Sequence, residues 1–434
     1  MLDLGRGFSR KGKCRFVEWV TGLALNVEEH TITQSLVGLD RPTDWKALES
    51  FAEYGSWDLR FLQRNVGWAI GQLPNARWYG YRVWAGDDTK VHRNSPNVWG
   101  TCTFHEYTAR TPNRAATVRA HNWVVIGGLL PVNEQPATFL PVAGDLYFRK
   151  SQLPTGKTFR TKNELLVGLL RHQAKTGKDR HLAAFDGAFA VANVVRPLLH
   201  PQPADEAPRI EFITRLRRDA RLCALPPQQR QDKQRGPMPK WGRPLKPPSQ
   251  GGRWPGKWRD GQAFLYGRCR RVRWKEVVCL WRVLGHADRV KVLVAEVEGY
   301  SNRFTLVTSA IELTGLQMLE IFCARFRQED GFRDLKQRLG WEECRAWTEN
   351  PIKRTTHTLF ATLTALRLLQ DRLKAEVGDD WWLHPPWNPR KTRPSVLDVE
   401  RLLRQHQGEI RQCLSSWLET CGKTDGADPI AGAA

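Results

Sequence analysis

The spacing of hydrophobic residues divides the chain into regions with different predicted elements. Up to about residue 75, apolar side chains recur at intervals of three and four, which predicts helices over 43–55 and 58–73. From Trp78 the pattern changes to short runs rich in Val, Trp and Tyr, which is typical of strands. These strands are predicted over 78–88, 121–130 and 138–148.

The next part of the chain alternates between helical and strand patterns. A helix with a polar start and a glycine end precedes a short apolar run, and a second helix and a fifth strand follow. Helices are predicted over 163–177 and 188–199, and strands over 180–186 and 209–217. The element order is therefore three strands, a helix, a strand, a helix and a strand.

The regular pattern stops between residues 226 and 262. This segment holds eight prolines and six glycines, which exclude a helix or a central strand and predict a loop. Strands resume beyond it, so a β-rich insert separates the strand at 209–217 from a long predicted helix at 316–339. The remaining predictions are strands over 263–284, 289–297 and 303–309, helices over 351–373 and 395–405, and a weakly structured tail to residue 434.

The charge of the protein narrows its function. The chain of 434 residues carries 67 Lys and Arg against 45 Asp and Glu, a net charge of +22. Such an excess favours a polyanionic partner such as nucleic acid.

The apolar runs fall short of the roughly 20 residues that a bilayer span needs, and the N-terminal sequence lacks the apolar stretch of a secretory signal. We therefore expect a soluble, cytoplasmic, nucleoid-associated protein with no membrane partner.

The positive charge is concentrated in one block. Residues 209–282 hold 20 Lys or Arg against 5 Asp or Glu, and five tryptophans are interleaved with this charge. The composition predicts DNA contact, in which cations neutralise phosphates and an aromatic ring stacks on a base. Trp274 and Trp281 are the first candidates for stacking. The alternative is that both are buried in the sheet of the insert itself.

The predicted helix at 316–339 carries a narrow stripe of distinctive residues. At 100° per residue, Phe322, Arg325, Glu329 and Lys336 project within about 60° of one another. Spacing alone also fits an ordinary amphipathic helix with a charged outer face. A functional role for the four side chains therefore needs evidence from other parts of the sequence.

The pattern aromatic-x2-Arg-x3-Glu-x6-Lys resembles the Y-x2-R-x3-E-x6-K signature of bacterial insertion-sequence DDE transposases. Phe322 stands where the signature has tyrosine, so the ring is kept and the hydroxyl is lost. The resemblance implies an α/β (α+β) fold, with a ribonuclease H-like mixed sheet, flanking helices and a β-strand insertion before the catalytic helix. It also implies that Glu329 is a catalytic metal ligand and that Arg325 and Lys336 contact the DNA backbone.

The resemblance requires two aspartates at the ends of the first and fourth strands. Asp88 precedes Thr89 at the end of the first strand, and Asp186, followed by Gly-Ala-Phe, ends the fourth. Both resemble patterns of the family, D-T and D-G/A-x-aromatic. Successive side chains on a strand face opposite ways, so Asp87 and Asp88 do not both point into one site. We choose Asp88, because Thr89 follows it, and keep Asp87 as the alternative.

Three carboxylates at strand and helix ends suit two divalent ions about 3.5 to 4 Å apart. Oxygen ligands without a Cys or His cluster favour Mg²⁺, with Mn²⁺ as substitute. The predicted catalytic and metal-binding residues are Asp88, Asp186 and Glu329. The predicted DNA-binding residues are Lys90, Trp274, Trp281, Phe322, Arg325, Arg333 and Lys336.

The predicted function is that of a transposase. It hydrolyses phosphodiester bonds at element ends and transfers the 3′-hydroxyl to target DNA, acting as a homodimer on double-stranded DNA without a small-molecule cofactor. The alternatives are a transposase-derived DNA-binding protein without cleavage, and a metal-dependent nuclease without strand transfer. The expected domains are a helical DNA-binding domain at 1–75, a catalytic core at 76–220 and 301–373, the insertion at 221–300 and a C-terminal helical region at 374–434.

Overall fold

The protein forms two compact units, each built from segments that are distant in the sequence. A computed structural model describes residues 7–106, 116–132, 135–175, 178–202, 206–229, 236–246, 254–389 and 391–423. The helical unit comprises Met1–Ala69, Lys90–His121 and Gly331–Ala434. The sheet unit comprises Ile70–Thr89 and Asn122–Asp330.

The described residues form both helices and strands. The helices are α1 (Arg10–Leu25), α2 (Trp45–Tyr54), α3 (Leu59–Gly71), α4 (Lys162–Ala174), α5 (Ala192–Leu199), α6 (Gly315–Ala324), α7 (Arg327–Gln337), α8 (Glu349–Val377), α9 (Val396–Gln405) and α10 (Gln407–Lys423). The strands are β1 (Tyr81–His92), β2 (Cys102–His105), β3 (Thr117–Val132), β4 (Gln135–Tyr147), β5 (Arg180–Phe185), β6 (Ile210–Arg215), β7 (Leu222–Cys223), β8 (Pro244–Leu245), β9 (Arg259–Leu265), β10 (Arg268–Trp281), β11 (Arg289–Val297) and β12 (Phe304–Thr308).

In the helical unit, α1 packs against α8, α9 and α10, and α2 packs against α8. The α1 helix begins after Ser9, whose side chain accepts a hydrogen bond from the Gly12 N–H at 3.3 Å. Phe16, Trp19 and Leu23 follow at intervals of three and four and are buried. The apolar stripe of α1 therefore forms part of the core of this unit. Among the described residues, no helix is long and apolar enough to span a bilayer.

The sheet unit is organised around one mixed sheet. Its strands lie in the order β3-β1-β5-β6-β12-β11-β10-β7-β8, while β4 also pairs with β3 and β9 with β10. β1 and β5 are parallel, with their last register pair at Gly86 and Phe185, and β5 is parallel to β6. β5 is almost entirely buried, as expected for a parallel strand covered on both faces. The predicted mixed α/β (α+β) fold, a large sheet with flanking helices, is confirmed.

A block of antiparallel strands lies between β6 and β12 in the sequence. The chain leaves β6, passes through β7 to β11 and returns at β12, which pairs with both β6 and β11. β9 and β10 form a hairpin whose turn residues, Tyr266 and Gly267, have φ angles of 52° and 81°. Two successive positive φ angles are typical of the type I′ turn of tight hairpins. The segment predicted as strand at 263–284 is therefore divided by this turn, and its residues belong to β9 and β10.

Two other predicted elements also differ from the structure. The helix predicted at 316–339 is interrupted at Arg325 and Phe326, so α6 and α7 are separate helices. The weakly structured tail predicted after residue 405 contains α10 as far as Lys423, and its last residues lie outside the described part. The described part of the loop predicted at 226–262 includes the short β8 and the start of β9. β2 is an additional strand, which pairs with the first residues of β3.

Candidate active site

Two carboxylates follow the last paired residues of adjacent parallel strands. The pairing of β1 with β5 ends at Gly86 and Phe185, and the next residue on each chain segment is an aspartate, Asp87 or Asp186. Residues in register on neighbouring parallel strands project to the same face of a sheet. Asp87 and Asp186 are therefore expected side by side at this edge of the sheet.

Arg325 bridges the two aspartates. Its Nη1 atom lies 3.2 Å from Oδ2 of Asp87, and its Nη2 atom lies 3.9 Å from Oδ1 of Asp186. The guanidinium also lies over the Phe322 ring, and only 11% of the Arg325 side chain is exposed. One largely buried cation thus offsets the repulsion between two neighbouring carboxylates. We call Asp87, Asp186 and Arg325 the carboxylate edge.

The surroundings of Asp87 disfavour its ionised form. Burial is the largest influence, and the pKa of Asp87 is raised to about 6. The charge of Arg325 and the Asp88 N–H, which donates to Oδ1 of Asp87 at 2.8 Å, counteract this rise, whereas the carboxylates of Asp88 and Asp186 add to it. A carboxyl group with a perturbed pKa beside a second carboxylate is a frequent property of catalytic sites.

Asp88 pairs with a different cation. Its Oδ2 atom accepts a hydrogen bond from Nζ of Lys162, the first residue of α4, at 2.6 Å. β1 continues to His92, so Asp87 and Asp88 both lie within the strand and project to opposite sides of it. The structure therefore brings Asp87, the alternative ligand, together with Asp186 and Arg325, while the choice of Asp88 stays a prediction.

Glu329 lies in the first turn of α7, just beyond the helix interruption. The N–H groups of Phe326 and Glu329 bond to carbonyl groups three residues earlier, at 3.2 and 3.1 Å, which tightens the backbone here relative to an α-helix. Arg325 keeps near-helical backbone angles, with φ −50° and ψ −33°. Glu329 therefore follows Arg325 by about one turn, and its side chain is exposed.

The predicted aromatic DNA contacts are buried in the sheet unit. Trp274 is 7% exposed and packs against Gly315, where a Cβ atom would lie 2.5 Å from the indole. Trp281 is 1% exposed, and its ring centroid lies 6.2 Å from that of Phe212. Phe322 is buried in the same core as Trp274. These three rings are enclosed by the fold, which favours the alternative interpretation of the two tryptophans.

The other predicted DNA contacts, Lys90, Arg333 and Lys336, belong to the helical unit. Nζ of Lys336 donates to the carbonyl of Lys90 at 2.5 Å and lies 3.7 Å from Glu342. Burial lowers the pKa of Lys336. The Lys90 ammonium lies 3.7 Å from Glu106, and Arg333 is exposed. Their contact with DNA stays a prediction.

The donor atoms of the carboxylate edge suit a divalent cation. Asp87 and Asp186 offer carboxylate oxygens, the ligands that Mg²⁺ prefers, and both already share the positive charge of Arg325. Within the described ranges, no group of three or more His, Cys, Asp or Glu side chains is arranged to hold a metal ion. The participation of Glu329 as a third ligand therefore stays a prediction.

Two residues near the site were not identified from the sequence. Lys162 follows Thr161, which forms a capping box with Glu164, and this T-x-x-E pattern marks the start of α4 in the sequence. Gln328 donates a hydrogen bond from Nε2 to the carbonyl of Val125 at 3.1 Å. The sequence gives no signal for this contact, because nothing in the local sequence distinguishes a buried glutamine from one at the surface.

The arrangement defines a mixed α/β protein with paired aspartates at the edge of a parallel strand pair. A family model described as DDE superfamily endonuclease matches residues 3–278, and the chain therefore belongs to this family. The match includes Asp87 and Asp186 and ends before Arg325 and Glu329. Membership indicates a nuclease- or transposase-type enzyme with DNA as its substrate, in a family that typically uses divalent metals. None of the curated proteins matches this chain.

Proposed function

We propose that the protein is a DNA transposase that cuts phosphodiester bonds at the ends of its element and joins the freed 3′-hydroxyl to target DNA. The observation that carries this proposal is the pair Asp87 and Asp186, which share the guanidinium of Arg325 at 3.2 and 3.9 Å. Membership of the DDE family supports DNA as the substrate. The proposed cofactor is Mg²⁺, with Mn²⁺ as substitute, and the active species is a homodimer on double-stranded DNA.

The proposed catalytic carboxylates are Asp87, Asp186 and Glu329, with Asp88 as the alternative at the first position. These carboxylates would hold the divalent cation, which when bound would supply Lewis-acid chemistry for phosphodiester cleavage and strand transfer. The raised pKa of Asp87, about 6, leaves this carboxyl mostly ionised at neutral pH and able to bind a cation. The reaction requires no covalent protein nucleophile.

Arg325 and Lys162 supply the positive charge beside these carboxylates. Arg325 reduces the repulsion between Asp87 and Asp186, and its planar set of N–H donors also suits a phosphate. Lys162 lies 2.6 Å from Asp88 at the start of α4. Both cations are therefore well placed to offset the charge of a DNA strand at the carboxylate edge.

The outward face of the insertion supports DNA binding. Along β10, Arg271 and Arg273 are exposed whereas Val272 and Trp274 are buried, so the positive charges project away from the core. Arg273 and Lys275 each lie 4.8 Å from the centroid of the half-buried Trp258 ring. This face combines cations and an aromatic ring, as nucleic-acid-binding surfaces do.

The proposal is tested with isosteric variants of the carboxylates. We expect Asp87→Asn, Asp186→Asn and Glu329→Gln to lose Mg²⁺-dependent nicking of DNA that carries the element ends, while DNA binding is retained because it depends on the basic surface. Asp88→Asn is the matched control, adjacent in sequence but paired with Lys162. It should retain most of the cleavage rate.

The products distinguish the competing functions. Joined products, resolved by gel electrophoresis, are expected from the wild-type protein and a target plasmid. Cleavage without joining identifies a nuclease instead, and binding without cleavage identifies a DNA-binding protein. Wild-type cleavage by Asp186→Asn would exclude the carboxylate edge as the catalytic centre. Loss of cleavage in Asp88→Asn with full activity in Asp87→Asn would assign the first ligand to Asp88.

A further inference from the structure

A buried glutamine lies directly before the proposed catalytic glutamate. Gln328 is 1% exposed, whereas Arg327 on one side is partly exposed and Glu329 on the other is exposed. Nε2 of Gln328 donates to the carbonyl of Val125 on β3 at 3.1 Å, and its Oε1 atom is buried without a partner among the described residues. A buried amide with one unpaired oxygen is costly to stability and therefore calls for a functional explanation.

The first turn of α7 is attached to the sheet at two successive residues. Beside the Gln328 contact with β3, Nε of Arg327 donates to the carbonyl of Ala137 on β4 at 3.3 Å. The register of β3 and β4 shifts between Ile126 and Gly127, where the opposite residue, Pro141, has no N–H. Gln328 thus supplies a side-chain donor next to an irregular part of the strand ladder.

These contacts matter because α6 does not continue into α7. At the interruption, the N–H groups of Phe326, Gln328 and Glu329 bond to carbonyl groups three residues earlier, so this turn is tighter than an α-helix and the rotation of α7 about its axis differs from that of a continuous helix. The contacts of Arg327 and Gln328 with the sheet hold α7 in this rotation. Glu329 is the next residue, so its direction depends on how this first turn is held.

We infer that Gln328 is a positioning residue, whose buried amide holds the first turn of α7 on β3 and thereby sets the direction of the Glu329 carboxylate. The inference rests on the proposed function, because it assigns Gln328 a role toward the metal ligand Glu329. Groups that orient a metal ligand typically change metal affinity or activity about 10- to 100-fold when they are removed. Gln328 acts through Glu329 and does not touch the reacting atoms.

A purely structural role makes a different prediction. Gln328→Met keeps the length of the side chain, removes the bond to Val125 and also removes the unpaired buried oxygen. Because these two changes oppose each other, the variant should unfold at nearly the wild-type temperature in the absence of metal. A structural role alone predicts an unchanged metal affinity, whatever the unfolding temperature of the variant.

The experiment uses the full-length protein and measures metal binding as well as cleavage. Mn²⁺ affinity without DNA is measured by electron paramagnetic resonance, the Mg²⁺ concentration for half-maximal nicking is measured with DNA, and unfolding is followed without metal. Gln328→Met should weaken Mn²⁺ binding and raise the Mg²⁺ requirement by about 10- to 100-fold. Gln337→Met, the same change at the exposed end of α7, is the matched control and should behave as wild type.

Glu329→Gln and the double variant separate the inference from the proposed function. If Gln328 acts through Glu329, Gln328→Met weakens Mn²⁺ binding no further once Glu329 is Gln. Unchanged metal affinity in Gln328→Met, or a loss of activity explained by a lower unfolding temperature, overturns the positioning role. Full cleavage by Glu329→Gln instead overturns the proposed role of Glu329, whatever Gln328→Met does.

Discussion

The carboxylate edge and the β9–β11 part of the insertion arrange their charged residues in opposite ways. At the carboxylate edge, groups of both signs converge, since Arg325 lies within 3.9 Å of both Asp87 and Asp186. Along β10 the charges are separated from the core, because Arg273 projects outward and Trp274 inward. Convergence creates a site with a perturbed carboxyl group, whereas separation creates a basic surface over an aromatic core.

This difference explains why residue composition alone could not decide whether the tryptophans contact DNA or are buried in the sheet. Tryptophan and arginine are mixed along the sequence of the insertion, but the alternation of a strand sends neighbouring residues to opposite faces. Trp274 and Trp281 therefore stabilise the sheet while the arginines remain at the surface. Trp258 combines both features, because its half-buried ring has Arg273 beside it at 4.8 Å.

The largest effect that we expect in the insertion is on stability. Trp281→Ala should lower the free energy of unfolding by about 3–5 kcal/mol, because a fully buried aromatic side chain is replaced by a cavity. Urea denaturation measures the loss, and Trp387→Ala, at a site that is 78% exposed, is the control. A stable Trp281→Ala protein with weakened DNA binding would restore the stacking interpretation and contradict the comparison above.

The sequence was sufficient to predict most elements and the position of Asp186 directly after β5, because each depends on local patterns, whereas the catalytic role of Asp186 stays a prediction. The choice of Asp88 over Asp87 depended on the following Thr89 alone, and it stays a prediction. Which of the two lies beside Asp186 depends on the register between β1 and β5, which ends at Gly86 and Phe185 and brings Asp87 there. Register is a property of two strands that are far apart in the chain, so neither strand specifies it alone.

The geometry of the helix that carries Glu329 also could not be predicted from the sequence. The stripe from Phe322 to Lys336 assumed one continuous helix, and no proline or glycine marks the interruption at Arg325 and Phe326. Tertiary contacts such as the Gln328 bond to Val125 accompany this interruption. By contrast, α10 has a local signal, since Ile410, Leu414, Trp417 and Cys421 recur at intervals of three and four.

The strands that carry the carboxylate edge should show a pH dependence that the insertion does not. Burial lowers the pKa of His181 on β5 to about 4, and the nearby charge of Arg82 contributes. Its Nδ1 atom accepts a hydrogen bond from Nε1 of Trp84 at 3.1 Å, which requires the neutral ring. Since the unfolded chain binds the proton more tightly, stability is full above the ordinary histidine pKa of about 6.5 and is lost as the pH falls toward 4.

We expect this loss to be on the order of 3 kcal/mol between pH 7 and pH 4. Thermal unfolding of the wild type and of His181→Gln at several pH values measures it, and the variant should show a flatter profile over that range. The same substitution at His286, an exposed histidine of the insertion, is the matched control. Identical pH profiles for the wild type and His181→Gln would show that the buried ring does not limit stability in acid.

The smallest expected effect concerns the outward face of the insertion. Arg273 is exposed on β10 and has no carboxylate partner within 4 Å among the described residues, so its charge is available to a phosphate. Arg273→Gln should weaken DNA binding less than about tenfold and reduce the slope of log affinity against log salt by about one unit. Arg372→Gln removes the same charge from α8, where Arg372 pairs with Glu376 at 2.8 Å, and should leave the slope unchanged. Fluorescence anisotropy between about 0.05 and 0.2 M salt resolves this difference. Equal slopes for the two variants would mean that the exposed charge of β10 does not face DNA, and the basic surface would then have to be sought elsewhere in the block at 209–282.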